Sequence, residues 1–122
     1  MLDNYIYALG GYDGADWLDV VERYDVRANR WEYVAAMSKE RGYCAAVSLG
    51  HNIYPIGGID GLSQLSSVEK FNVNTNSWEL IPPMATKRST LAAVVLDDTI
   101  YAIGGNCDSS PLASVECLKI IM

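Results

Sequence analysis

Histidine is nearly absent from this chain of 122 residues: His51 is the only one. That scarcity excludes a histidine-rich metal centre. Because His51 sits in the short turn Gly50-His51-Asn52, it also argues against a Ser-His-Asp triad. Cysteine is sparse as well. Its three copies show no CxxC spacing, which excludes a disulfide framework and suits a reducing, cytoplasmic setting. Basic residues are outnumbered nine to fifteen, for a formal charge of −6, and a binder of nucleic acid or of an anionic membrane surface needs the opposite balance. No apolar run approaches the ~20 residues of a membrane helix, and the first residues carry no basic, hydrophobic leader. No stretch holds a 3.6-residue period, so helix content is expected to be near zero. The GxxxxGK-Ser/Thr phosphate loop is also lacking.

What the chain does have is glycine in pairs. Gly10-Gly11, Gly57-Gly58 and Gly104-Gly105 are spaced by 47 residues. The same interval carries Ile6-Tyr7 to Ile53-Tyr54 and Ile100-Tyr101, and Val21-Glu22 to Val68-Glu69 and Val115-Glu116. It also relates Trp31 to Trp78, Met37 to Met84 and Arg41 to Arg88. Residues 6–52 laid on 53–99 without a gap agree at 19 of 47 positions, far above chance, so the period is that of a structural repeat.

Each unit reads as four short strands. Cys44–Leu49 and Leu91–Leu96 are continuous apolar runs, the pattern of strands buried on both faces. Asn52–Ile56 and Thr99–Ile103 follow after a few polar residues, as in a hairpin, and each ends at a diglycine. A third strand with alternating polarity starts at Val21 or Val68. A turn around Asn29 or Asn76 then leads to a fourth strand holding Trp31 or Trp78. Pro55 stands inside a second strand, where it predicts either a bulge or a lost ladder bond. Cys44 and Cys117 are expected to be buried in strands. A four-stranded unit of this length is the period of a β-propeller blade.

The diglycine, the aromatic at Tyr24 or Phe71, and the tryptophan after six further residues together resemble the kelch motif. The stretches Tyr7–Gly14 and Val21–Asp25 are most similar to the Kelch-like (BTB-Kelch) proteins. The resemblance implies an all-β fold: a partial kelch propeller of four-stranded antiparallel blades. Dividing 122 by 47 gives about 2.6 blades, an incomplete ring. Its expected parts are a partial blade over 1–36, a full blade over 37–83 and a partial blade over 84–122. They are expected to belong to a longer Kelch-like protein. The motif residues Gly10, Gly11, Tyr24, Trp31, Gly57, Gly58, Phe71, Trp78, Gly104 and Gly105 are assigned structural roles. So are Glu22, Glu69 and Glu116, with Arg41 and Arg88, as ion pairs or loop caps.

Function is expected where the repeats differ, in the loops that the scaffold positions. Family resemblance puts partner contacts after the diglycine and just after the arginine. Here those positions select Tyr12, Trp17, Tyr43, Ile59, Gln64, Ser89, Thr90 and Asn106. Tyr12, Trp17 and Tyr43 have the character of interface anchors, although Trp17 also fits a staple folded over Leu18. The polar members suit hydrogen bonds to an extended peptide. The implied function is non-catalytic protein recognition, like the substrate-docking propeller of a cullin-type ubiquitin ligase adaptor. The alternatives are actin binding and, least favoured, part of a kelch-fold enzyme. No metal or cofactor is expected. Cys107 has no basic neighbour in sequence to activate its thiol. Self-association through exposed blade edges is expected from an open arc.

Overall fold

A computed structural model describes residues 4–120. The outermost residues of the first and third expected blades, 1–3 and 121–122, lie outside the described residues. The first unit holds β1 (Tyr5–Leu9), β2 (Val21–Asp25) and β3 (Arg30–Val34). The second holds β4 (Ala45–Leu49), β5 (Asn52–Ile56), β6 (Val68–Asn72) and β7 (Ser77–Ile81). The third holds β8 (Ala92–Leu96), β9 (Thr99–Ile103), the two-residue strands β10 (Asn106–Cys107) and β11 (Ser110–Pro111), and β12 (Val115–Lys119). All pairings are antiparallel, giving sheets β1-β2-β3, β4-β5-β6-β7 and β12-β9-β8. The described residues contain no helix. Among the described residues these sheets form an arc of three blades with three, four and three long strands, as the expected partial propeller requires.

Local chemistry sets the turns. In the β2–β3 turn the Asp25 carboxylate accepts the N–H groups of Arg27 and Ala28, and Asn29 adopts a left-handed conformation. One repeat later Asn72 accepts from Asn74 and Thr75 in the same way, and Asn76 takes the left-handed position. The β8–β9 hairpin turns on Asp97 and Asp98, both at positive φ as a tight hairpin turn requires. Gly57 meets a stricter demand. Its φ is +65°, and an added Cβ would collide with the Arg88 carbonyl oxygen. Gly10 faces the Arg41 carbonyl in the same way.

Those arginines hold the blades together. Arg41 has no exposed surface; its backbone bonds to Gly11 and Leu18 of the first unit while its side chain reaches into the second. Its guanidinium donates to the carbonyls of Gly57 (2.8 Å) and Ser67 (2.9 Å), to Ser67 Oγ (2.8 Å) and to Glu69 Oε2 (3.1 Å). The other Glu69 oxygen accepts the Ser38 N–H at 2.8 Å. Arg88 repeats the set on Gly104, Ser114 and Glu116 at the next boundary. Both Glu69 carboxylate oxygens and all three guanidinium nitrogens of Arg41 have partners, the condition under which a buried ion pair is tolerated. Arg41 with Glu69 and Arg88 with Glu116 are therefore structural, and they act between blades.

The core lies between the second and third blades, formed by Tyr54, Ile56, Val68, Met84, Ile100 and Ala102. Here two expectations need correction. The apolar runs β4 and β8 are not buried on both faces; half-buried and exposed residues alternate along each. On β8 the Ala93 and Val95 face packs on the core, while Val94 and Leu96 have no neighbouring blade among the described residues. On β4 the Ala46 and Ser48 side is exposed, with no strand preceding β1 in the first unit among the described residues. Cys117 is likewise exposed on the outward face of β12, and Cys44 lies half-buried just ahead of β4.

Pro55 produces no bulge. The β4–β5 and β5–β6 pairs keep one register throughout, but the β5–β6 ladder is interrupted at Tyr54 and Pro55. The absent N–H therefore costs bonding on the β6 side only. Trp78 does bridge blades, donating its indole N–H to the Ala35 carbonyl at 2.7 Å. Trp31 does not. It is 52% exposed and packs on Tyr24 of its own blade, because no blade precedes it among the described residues.

Candidate functional site

The loop face is built by pairing the loop after each arginine with the post-diglycine loop of the next blade. Gly42 exchanges backbone hydrogen bonds with Ile59 (2.8 Å each way), and Ser89 does so with Asn106. Thr90 N–H donates to the Tyr43 carbonyl at 2.8 Å, joining successive loops. Tyr43 and Thr90 both sit at positive φ, 53° and 54°. For a β-branched threonine that conformation is strained, and such strain concentrates at functional loops.

An aromatic cluster is the main feature of this face. Tyr12 and Trp17 lie 4.7 Å apart by ring centroids, and Trp17 and Tyr43 lie 5.8 Å apart, edge to face. Trp17 is held by glycines of two other loops. Its indole lies against Gly42 and Gly61, so that an added Cβ at Gly61 would come within 2.6 Å of it. The tryptophan thus connects the first blade's loop to the second blade's loop and leaves the two tyrosines exposed. The Tyr12 hydroxyl donates to the Gly14 carbonyl at 3.0 Å.

Carboxylates surround the cluster. Asp13 accepts the N–H groups of Asp16 (2.7 Å) and Ala15 (2.9 Å), which hold its carboxyl below the ordinary range. Asp60 is lowered by the N–H groups of Ser63 and Leu62 in the repeat-equivalent turn. Both stay ionised at neutral pH.

The remaining predicted positions divide. Ile59, Gln64 and Asn106 are half-buried, and Gln64 is committed to a loop–loop bond, accepting the Asp108 N–H at 2.9 Å. Ser89 is only 2% exposed; its backbone pairing turns it inward, which removes it from the contact set. The 106–113 loop contains the small β10–β11 hairpin, with Asp108 and Ser109 at positive φ. Leu62 escaped sequence reasoning altogether. It is 97% exposed beside the Gly61 that packs on Trp17. The available signal was an apolar residue inside an Asp-Gly turn. Burial pushes the Cys44 thiol up, against the nearby Arg41 charge.

The family model of the Kelch motif matches residues 1–38, 40–85 and 87–120, which is nearly the whole chain and one match per blade. The chain belongs to the Kelch motif family. Among solved structures, the structure of YjhT superposes on this kelch arc with a TM-score of 0.73 at 21% identity. The match covers 86% of this chain but 32% of that one, so the kelch arc spans about a third of its length. The likeness is one of fold. No curated protein matches the chain.

Proposed function

We propose that the loop face is a docking surface for a protein partner, with Tyr12, Trp17 and Tyr43 as anchors and Leu62 and Thr90 beside them. The observation that carries this reading is the aromatic cluster itself. Three rings are held in contact across two blades, and two of them are exposed on a scaffold whose repeated aromatics, such as Tyr24, Phe71 and Trp78, serve packing. Ionised Asp13 and Asp60 beside the rings favour a partner segment that presents a cation together with apolar surface. The docking role is non-catalytic and needs no cofactor.

Within the Kelch-like proteins that the motifs resemble, such a propeller selects substrates for a cullin-type ubiquitin ligase. We place this chain in that role as part of a longer protein, with blades divided at 1–36, 37–83 and 84–122. Three free cysteines accord with a cytoplasmic setting. Actin binding is the competing assignment, and co-sedimentation with filaments separates the two. The site is tested by pull-down with Tyr12→Ala and Tyr43→Ala, both exposed and outside the blade core. Loss of the partners retained by wild type is expected; unchanged recovery removes the assignment. Trp17→Ala is read alongside a melting curve, because it also removes packing on Gly42 and Gly61.

A further inference from the structure

The two residues that follow each diglycine differ from blade to blade: Tyr12-Asp13, Ile59-Asp60 and Asn106-Cys107. Only the first of these loops sets an aromatic ring beside a carboxylate at those positions. Both groups are fixed by the turn that carries them. The Tyr12 hydroxyl donates to the Gly14 carbonyl at 3.0 Å, its ring lies 4.7 Å from that of Trp17, and the two residues form an antiparallel bridge. Asp13 accepts from Ala15 and Asp16 through Oδ1. Its Oδ2 takes no hydrogen bond and no ion pair among the described residues, and the side chain is exposed.

The second loop repeats the carboxylate without the ring. Asp60 accepts from Leu62 and Ser63 through Oδ1. The N–H groups of Ser63 and Leu62 hold its carboxyl down, and the nearby Lys39 charge adds to this. Asp13 is held down by the N–H groups of Asp16 and Ala15, with no cation of the chain contributing among the described residues. Elsewhere the chain shows what a ring and a carboxylate hold together. Arg23 lies over Tyr5, its Cζ 4.1 Å from the ring centre, and its Nε donates to Glu32 Oε1 at 2.6 Å. A guanidinium makes both contacts because it is planar, weakly hydrated and rich in donors, whereas an ammonium is a compact, strongly hydrated charge.

We propose that the first loop is an arginine-selective subsite. An extended segment of a partner protein lays a guanidinium on Tyr12 and pairs it with Asp13 Oδ2, while its apolar residues cover Tyr43 and Leu62. The subsite rests on the reading of the loop face as a docking surface and names the side chain which that face selects. The chain's charge of −6 favours the approach of such a segment. Lys39 and Lys87, exposed in the loops that end at Arg41 and Arg88, oppose a long basic run. A single arginine among apolar residues is the better match.

For the test, a phage library of random peptides is selected on the full chain, and recovered peptides are measured by fluorescence anisotropy. Arginine flanked by apolar residues should be enriched. Replacing that arginine by lysine should weaken binding about tenfold, as should Asp13→Asn or Tyr12→Ile in the protein. Asp60→Asn should weaken it far less. Asp13→Asn keeps an oxygen that accepts from Ala15 and Asp16, and Tyr12→Ile copies the second loop, so both should retain the wild-type circular dichroism spectrum. If either loses that spectrum, the change of arginine to lysine in the peptide decides. Peptides that bind without arginine, accept lysine equally or are unaffected by Asp13→Asn overturn the subsite, as does a library that yields no binder. Where such peptides still fail on Tyr43→Ala, the docking surface stands and only its arginine preference falls. Where they bind Tyr12→Ala and Tyr43→Ala unchanged, both fall.

Discussion

Arg41→Met removes the guanidinium that crosses the first blade boundary while keeping the length and apolar stem of the side chain. The loss strands several groups at once. Glu69 keeps only the Ser38 N–H, and the carbonyls of Gly57 and Ser67 lose their donor, all at a site without exposed surface on Arg41 or Glu69. Removing one partner of a buried, hydrogen-bonded ion pair costs about 3–5 kcal/mol, most of it the penalty on the charge left behind. A large share of the stability of a domain this size is at stake. Arg88→Met should cost less, about 2–3 kcal/mol, because the Glu116 side chain is 17% exposed and retains the N–H groups of Ala85 and Thr86. Adding Glu69→Gln to Arg41→Met should recover about 1 kcal/mol or more, since the neutral amide still accepts from Ser38 without a stranded charge. Urea unfolding followed by tryptophan fluorescence measures all three, and Trp78 reports from the same boundary. An Arg41→Met cost below about 1 kcal/mol, or a double variant no better than the single, would refute the clamp as the joint between blades.

Acidification should weaken the second joint. Burial works against the charge on Glu116, but hydrogen bonds from Ala85 N–H, Arg88 and Thr86 N–H outweigh it and lower its pKa. A carboxyl depressed in the folded state contributes stability above its unfolded value, near pH 4, and loses that contribution as pH falls through the folded value. Melting temperature should therefore fall below about pH 4, and Glu116→Gln should flatten that part of the profile; an equal slope in both would contradict the assignment. The open face of the third blade should drive self-association through Val94, Leu96 and Val115, all exposed. Sedimentation velocity should show larger species for wild type than for Val94→Lys/Val115→Lys; identical profiles would show that the face is inert.

The repeat made most of the fold legible. Because the 47-residue period aligned Val68 with Val21 and Trp78 with Trp31, weak strand signals in one unit were supported by their copies. Pro55 left the register unchanged because a proline removes one donor without adding a residue. What a single unit's pattern cannot carry is whether a neighbour is present. Val94 and Leu96 look like core residues in sequence, and Trp31 looks equivalent to Trp78, yet their exposure depends on which blades flank them. The site was legible in its aromatics and less so in its polar members. Ser89 is turned inward by bonds to Asn106, seventeen residues away, and Trp17 is placed by Gly42 and Gly61 on other loops. Leu62 was hidden because turn chemistry at Asp60 explains the backbone and says nothing about an apolar tip.

Photo-cross-linking from single positions tests most directly that partners dock on the loop face. A photoreactive phenylalanine analogue placed in turn at Leu62, Tyr43 and Tyr33 samples two loop-face positions and the outer strand β3, where Tyr33 is 75% exposed. The account predicts that the same partner is cross-linked from positions 62 and 43 and not from 33. Cross-links from 33 alone, or equally from all three, would contradict it.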